Sequence, residues 1–299
     1  MDEARAEVDE QGKLGPATDL GRLALNVNDI GAVAAFYESG VGLSRIAESA
    51  DGLVLGSQAR PVLELIHRPE LPAPRPGSAG LYHTAILFEE RADLAAALYA
   101  TAVGFAGTFT GSADHLVSQA FYFNDPEGNG VELYWDRPRS EWQWSGGEVA
   151  MDSLPLDPNA YIREHAVIEG SEPRGPAGTT SRLGHVHLKV GDVQEAKGFY
   201  VDTLGLDVTA SMWHSALFTS AGGYHHHVGM NVWESRGAGP RGDALGLAYF
   251  EILVSEDDLR AARQRLERAG LEIEARDEGQ LITRDPWGTA VKLRRKTSG

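Results

Sequence analysis

Cysteine is absent from the 299 residues. That excludes disulfides, thiolate metal ligands and a cysteine nucleophile, and leaves His, Asp and Glu to hold any metal. Long apolar runs are absent as well: none approaches the ~20 residues of a membrane span. Positive charge is scarce. Lys and Arg number 27 against 43 Asp and Glu, for a formal net charge of −16, which repels nucleic acid and anionic membrane. The start, MDEARAEVDEQGK, is acidic and polar and unlike a signal peptide. Residues 1–19 therefore read as a disordered acidic tail, with the cytoplasm as the default location.

What is present is a duplication. LALNVNDIGAVAAFYESGVGL around Asp29 is echoed by VHLKVGDVQEAKGFYVDTLGL around Asp192, and NDPEGNGVELYWD by RDPWGTAVKLRRK. The two copies stay in phase over whole modules, as a repeated fold requires. Module one spans 20–136 and module two 183–296, each long enough for its own core. Between them, 137–182 is rich in Pro, Gly and Ser and reads as linker.

Within each module the pattern is β-α-β-β-β, twice. LALNV and HVHLKV alternate with the period of a strand. Asp29 and Asp192 follow as helix N-caps. GLYHTAILF and GLAYFEILV open the second half of each module, followed by the helical stretches RADLAAALYATAVGF and SEDDLRAARQRLERAG. Ser255 with Asp258 makes a capping box for the latter. The expected fold class is α+β, with four βαβββ units in two modules.

With these segments in view, the chain resembles the vicinal oxygen chelate superfamily, the glyoxalase, bleomycin-resistance and extradiol dioxygenase group. YHTAIL, DHLVSQAFYFNDPEGNGVELYWDRP and GGYHHHVGMNVW look closer still to its two-module catechol 2,3-dioxygenase-like members. The resemblance covers both modules. It implies pairs of βαβββ units curled into half-open barrels, each with a cup that can hold a metal through a His on the first strand, a His on the fifth and a Glu on the eighth.

Those positions are Arg22, His83 and Glu132 in module one, and His185, Tyr249 and Lys292 in module two. Neither module holds a full set. The first half of module two with the second half of module one gives His185, His83 and Glu132. The complement gives Arg22, Tyr249 and Lys292, which cannot bind a cation. One working cup beside one dead cup requires half-modules to pair across the duplication. Two imidazoles and one carboxylate with open positions are the ligand pattern of non-haem Fe(II) oxygenases; Mn(II) accepts the same set.

Ring cleavage also needs a group that takes a proton from a phenol and later returns one, which suits histidine. Read as a strand with alternating faces, Tyr224–Trp233 turns His225, His227, Asn231 and Trp233 toward the cup and His226, Val228, Met230 and Val232 away from it. His225 and His227 are thus the favoured acid–base groups, with His187, Tyr122 and His115 as further catalytic candidates. Asn231, Trp233 and Trp213 are expected in the substrate pocket. The resemblance implies Fe(II)-dependent extradiol cleavage of a catechol-type diol by O2, with a small aromatic substrate as partner and a homodimer as the commonest assembly. The alternatives are a glyoxalase-like isomerase or thiol transferase, and a metal-free drug-binding protein. Glyoxalase-type sites add a Glu on the fourth strand, and HHHVGMNVW offers none before Glu234.

Overall fold

A computed structural model describes residues 12–277 and 279–296. Residues 1–11 of the acidic start lie outside the described residues. From Leu14 the chain packs: its amide donates to the Gly205 carbonyl and its side chain is buried.

Each βαβββ unit opens on a nine-residue strand. Strand β1 (Asp19–Val27) leads to helix α1 (Ile30–Ala35), β2 (Ser44–Ser49), β3 (Gly52–Ser57) and β4 (Arg60–His67). Strand β5 (Gly80–Phe88) leads to α2 (Arg91–Gly104), β6 (Phe109–Asp114), β7 (Ser118–Asn124) and β8 (Gly130–Asp136). The connecting stretch carries two short hairpins, β9 (Trp144–Ser145) with β10 (Glu148–Val149) and β11 (Ile168–Glu169) with β12 (Glu172–Pro173), flanking α3 (Pro158–His165). Module two repeats the scheme: β13 (Ser181–Lys189), α4 (Val193–Lys197), β14 (Asp207–Met212), β15 (Ala216–Ser220) and β16 (Val228–Asn231), then β17 (Gly246–Val254), α5 (Glu256–Arg268), β18 (Glu274–Asp277), β19 (Gln280–Arg284) and β20 (Ala290–Arg295).

The short helices start where side chains satisfy their free amides. Asp29 accepts from Ala32 N, and Asp192 from Gln194 N and Glu195 N. Ser255 Oγ accepts from Asp258 N at 3.1 Å. Helices α1 and α4 run on into matching π-helical turns, Phe36–Val41 and Gly198–Thr203.

Two eight-stranded sheets result, and each mixes the modules. One runs β18-β19-β20-β17-β1-β4-β3-β2, the other β14-β15-β16-β13-β5-β8-β7-β6. At the centre of each, a strand of one module lies antiparallel to a strand of the other: β1 against β17, and β13 against β5. The half-modules therefore pair across the duplication. Strand alternation sorts the faces. Leu23, Leu25 and Val27 of β1, with Ile86 and Phe88 of β5 and Val186 and Leu188 of β13, join one core cluster together with helix residues such as Leu94 and Leu259. The opposite faces carry two small clusters, one around Ala24 and Tyr249 and one around Ala85 and Tyr134. Those faces are the two cups.

Candidate metal centre and its cavity

Three neighbouring strands, β13, β5 and β8, bring three donor groups together in the second sheet. The register sets His187 beside His83, His185 beside Ala85, Ala85 beside Glu132 and Glu132 beside Tyr122. A register shift between Leu183 and His185 changes which residues of β13 face the cup. Gly184 sits at that shift because a Cβ there would collide with the Tyr134 hydroxyl. On β8, Val131 and Leu133 enter the core, which turns Glu132 to the other face.

The donor atoms converge. Glu132 Oε2 lies 2.9 Å from His83 Nε2 and 3.1 Å from His185 Nε2, and the two Nε2 atoms are 3.3 Å apart. Donors bound at 2.0–2.2 Å to one ion, in tetrahedral or octahedral angles, stand about 2.8–3.6 Å from each other, so the set fits a single metal. It is the group of potential ligands that the described residues gather, and all three side chains are buried. Burial opposes ionisation of Glu132, but His185 and His83 outweigh it and hold its carboxyl well below the usual range. Burial pushes His185 down to about 4. A carboxylate and a neutral imidazole at neutral pH are the protonation states a cation needs.

A cavity of about 1040 Å³ opens onto these three residues. Tyr82, His187, Phe218 and Trp233 form an aromatic wall: the Tyr82 ring lies 5.1 Å from His187 and 5.4 Å from Trp233, and His187 lies 5.7 Å from Phe218. His115 and Tyr122 stand on the opposite side. The Tyr122 hydroxyl is 2.7 Å from His115 Nε2, and His115 Nδ1 donates to the Asp152 carbonyl at 2.7 Å. That carbonyl can only accept, so Nδ1 carries the ring proton and Nε2 accepts from the phenol. Burial, reinforced by Glu132, raises the Tyr122 phenol well above its ordinary value and keeps it protonated.

The family follows from sequence and fold together. The model of the Glyoxalase/Bleomycin resistance protein/Dioxygenase superfamily matches residues 19–133 and 182–293. The chain belongs to this superfamily. Over 277 residues it is 35% identical to a catechol-2,3-dioxygenase of Bacillus subtilis (strain 168), spanning 90% of this chain and 94% of that one. Among solved structures, glyoxalase I from Zea mays aligns with a TM-score of 0.55 at 15% identity, over 93% of this chain and 92% of that one. The cppA protein from Streptococcus pneumoniae TIGR4 aligns with a TM-score of 0.57 at 13% identity, over 93% and 98%. At such identities these structures speak for the fold alone.

The other cup of this superfamily member is filled with charge pairs. Arg22 Nε lies 3.2 Å from Glu64 Oε2 and 3.3 Å from Glu251 Oε1, and Tyr249 donates its hydroxyl to Glu64. Lys292 Nζ sits 3.0 Å from the centre of the Tyr249 ring. The three positions that correspond to the ligands are thus adjacent here too, but hold a guanidinium, a phenol and an ammonium.

The histidine run departs from its expected alternation. Strand β16 covers only Val228–Asn231, and Tyr224–His227 are an irregular segment that follows the turn at Gly222 and Gly223, both at positive φ. The face slips by one residue. His226, expected on the apolar side, lines the cavity and lies 4.1 Å from the His185 ring. His225 and His227 do not line it. His225 is bonded to Asp136 and His226, and His227 Nδ1 to Ser220 Oγ at 2.8 Å. The Gly-Gly pair is the signal that separates turn from strand here. Asn231 acts one step back from the cavity: it hydrogen-bonds His187 Nε2 at 3.0 Å. Trp213 also lies elsewhere. It sits at a hairpin tip with φ 52°, 86% exposed, and its neighbour Met212 lines the cavity instead. Tyr82, which the sequence did not single out, joins the aromatic wall because it directly precedes His83 on β5.

Proposed function

We propose that this chain is a metal-dependent extradiol dioxygenase acting on a catechol-type diol, with His83, His185 and Glu132 holding one Fe(II). The observation that carries the reading is a three-donor set at single-ion spacing, opening on an aromatic-walled cavity, in a chain 35% identical to a catechol-2,3-dioxygenase. Among the described residues three protein ligands gather, so open positions remain for a chelating diol and for dioxygen. The fourth strand of this cup presents Gly229 and Asn231 beside Phe218 and Ala216 and no carboxylate. A fourth-ligand, glyoxalase-type site is therefore disfavoured.

When bound, Fe(II) supplies Lewis acidity and a path for electrons between the diol and O2. The protein's own groups do the rest. Tyr82, His187, Trp233 and Phe218 clamp the ring and exclude water. His226, beside His185, is placed to take a proton from a substrate hydroxyl and to return it after the ring opens. On the opposite side of the site stands the protonated Tyr122 phenol, which can turn its one hydrogen from His115 Nε2 to a developing oxyanion.

Metal-free protein loaded anaerobically with Fe(II) and then given catechol and air should form a yellow ring-fission product, with one O2 consumed per ring. His226→Ala should lower kcat by about 10²–10⁴-fold at unchanged metal content. No oxygen uptake across a panel of catechols, together with thiol-dependent isomerisation of a hemithioacetal, would contradict the proposal.

A further inference from the structure

The cavity is larger than a bare catechol requires. Its volume of about 1040 Å³ stands at the top of the ~300–1,000 Å³ range that holds drug-sized ligands, and one ring fills little of that. Beyond the aromatic wall the lining continues to Gly80, Lys189 and Arg241.

The second sheet brings these three together. Lys189 of β13 pairs with Gly80 of β5. Leu188 enters the core, so Lys189 shares the cup face with His187 and His185. On β5 the register shifts between His83, opposite His187, and Leu81, opposite Leu188. Tyr82 is the extra residue of that irregularity, which leaves Leu81 packed on the core and Gly80 on the cup face. Arg241 arrives from the loop before β17, with Nη1 3.5 Å from where a Cβ on Gly80 would stand. Gly80 precedes His83 by three strand positions, about 10 Å.

The Arg241 guanidinium is only partly satisfied. Nη2 donates to the Leu247 carbonyl and Nε is buried without a partner. Among the described residues no carboxylate pairs with the group. Burial lowers its pKa from the ordinary value, and Asp285 offsets only part of this. That carboxylate already accepts from the Tyr200 hydroxyl and from the amides of Trp287 and Thr289. The guanidinium stays charged regardless. Lys189 Nζ has Glu234 Oε2 at 3.6 Å, but the Glu234 side chain is 61% exposed, and so exposed a pair contributes little. Glu127, which also lines the cavity, is engaged by the amides of Asn28 and Asp29.

We propose that Arg241 and Lys189 form an anion subsite at this end of the cavity, and that the substrate is a catechol whose ring carries a short side chain ending in a carboxylate. A planar guanidinium matches the two oxygens of a carboxylate, and Lys189 adds a point charge from the neighbouring strand. The proposal rests on the dioxygenase reading for the diol end of the substrate. The subsite itself needs no turnover.

The test is calorimetric titration of metal-free protein at neutral pH with dihydrocaffeate, a catechol bearing a propanoate chain, and with its neutral amide. Wild type should bind the acid about tenfold or more tighter than the amide. In Arg241→Met that ratio should fall below about threefold, and Lys189→Met should lower it by about threefold. Because both ligands share the ring and the diol, the ratio cancels any general change in the cavity. If Arg241→Met does not fold, the wild-type ratio and Lys189→Met decide. Equal affinity of wild type for acid and amide, or no binding of either, would overturn the proposal, as would a wild-type ratio in both variants. A preference for the acid without oxygen uptake would keep the subsite and remove the dioxygenase reading; oxygen uptake without that preference would do the reverse.

Discussion

At the scale of single residues, the histidines divide by what surrounds them. His227 is buried and has only a hydroxyl and a backbone amide as polar partners, Ser220 Oγ and Ala221 N. Burial pushes it down to about 3, below the ~6.5 of an unfolded chain. The folded state thus binds fewer protons than the unfolded state between these values. Its contribution to stability is complete above about pH 6.5 and is lost as pH falls toward 3. Between pH 6.5 and 5 this one group should account for about 2 kcal/mol of lost stability. Denaturant titrations at the two pH values, on wild type and His227→Gln, check this: the drop should be smaller in the variant by about that amount. An equal drop in both would remove His227 as a cause.

At the scale of elements, matching turns have unequal consequences. Asp125 Oδ1 accepts from the backbone amides of Glu127 and Asn129, each at 2.9 Å, and Asp285 does the same for Trp287 and Thr289. Both turns launch the last strand of a half-module, but only the first launches Glu132. Asp125→Ala and Asp285→Ala each leave two amides without their partner and should each lower stability by about 2–4 kcal/mol. Only Asp125→Ala should also weaken metal binding, as read by calorimetry. Equal metal affinity in the two variants would mean that the turn does not set the position of Glu132.

The sequence shows these elements well, since Asp caps, alternating apolar strands and DP turns are local signals that recur 160–163 residues apart, as Asp125/Asp285 and Asp29/Asp192 do. The histidine run was legible only in part. Alternation is a rule for strands, and Tyr224–His227 are irregular, so His226 and not its neighbours reaches the cavity. Trp213 failed for a related reason: an aromatic residue in a hairpin can as easily point to solvent. The shift at Gly184 depends on Tyr134, a residue 50 positions away, and no local pattern announces it.

At the scale of the whole molecule, the duplication has been divided rather than doubled. Each sheet takes four strands from each module, so each cup reads half of its residues from each copy. That pairing was implied in the sequence by the ligands themselves, because only crossed halves give a complete set. In the second cup Arg22 pairs with Glu64 and Glu251, Tyr249 hydrogen-bonds Glu64 and Lys292 lies over the Tyr249 ring, so these three positions hold no cation-binding set. No helix among the described residues is long and apolar enough to cross a membrane. Arg22→Ala should therefore cost stability, about 1–3 kcal/mol from the loss of a partner to the buried Glu251, and leave the metal centre as it was.

The most direct test of the account is an anaerobic titration of metal-free protein with Fe(II), comparing wild type with His185→Ala and Tyr249→Ala. Wild type and Tyr249→Ala should each bind one metal per chain with similar affinity, and His185→Ala should bind at least a hundredfold more weakly. Two metals per wild-type chain, or a His185→Ala protein that binds as tightly as wild type, would contradict a single centre built across the two modules.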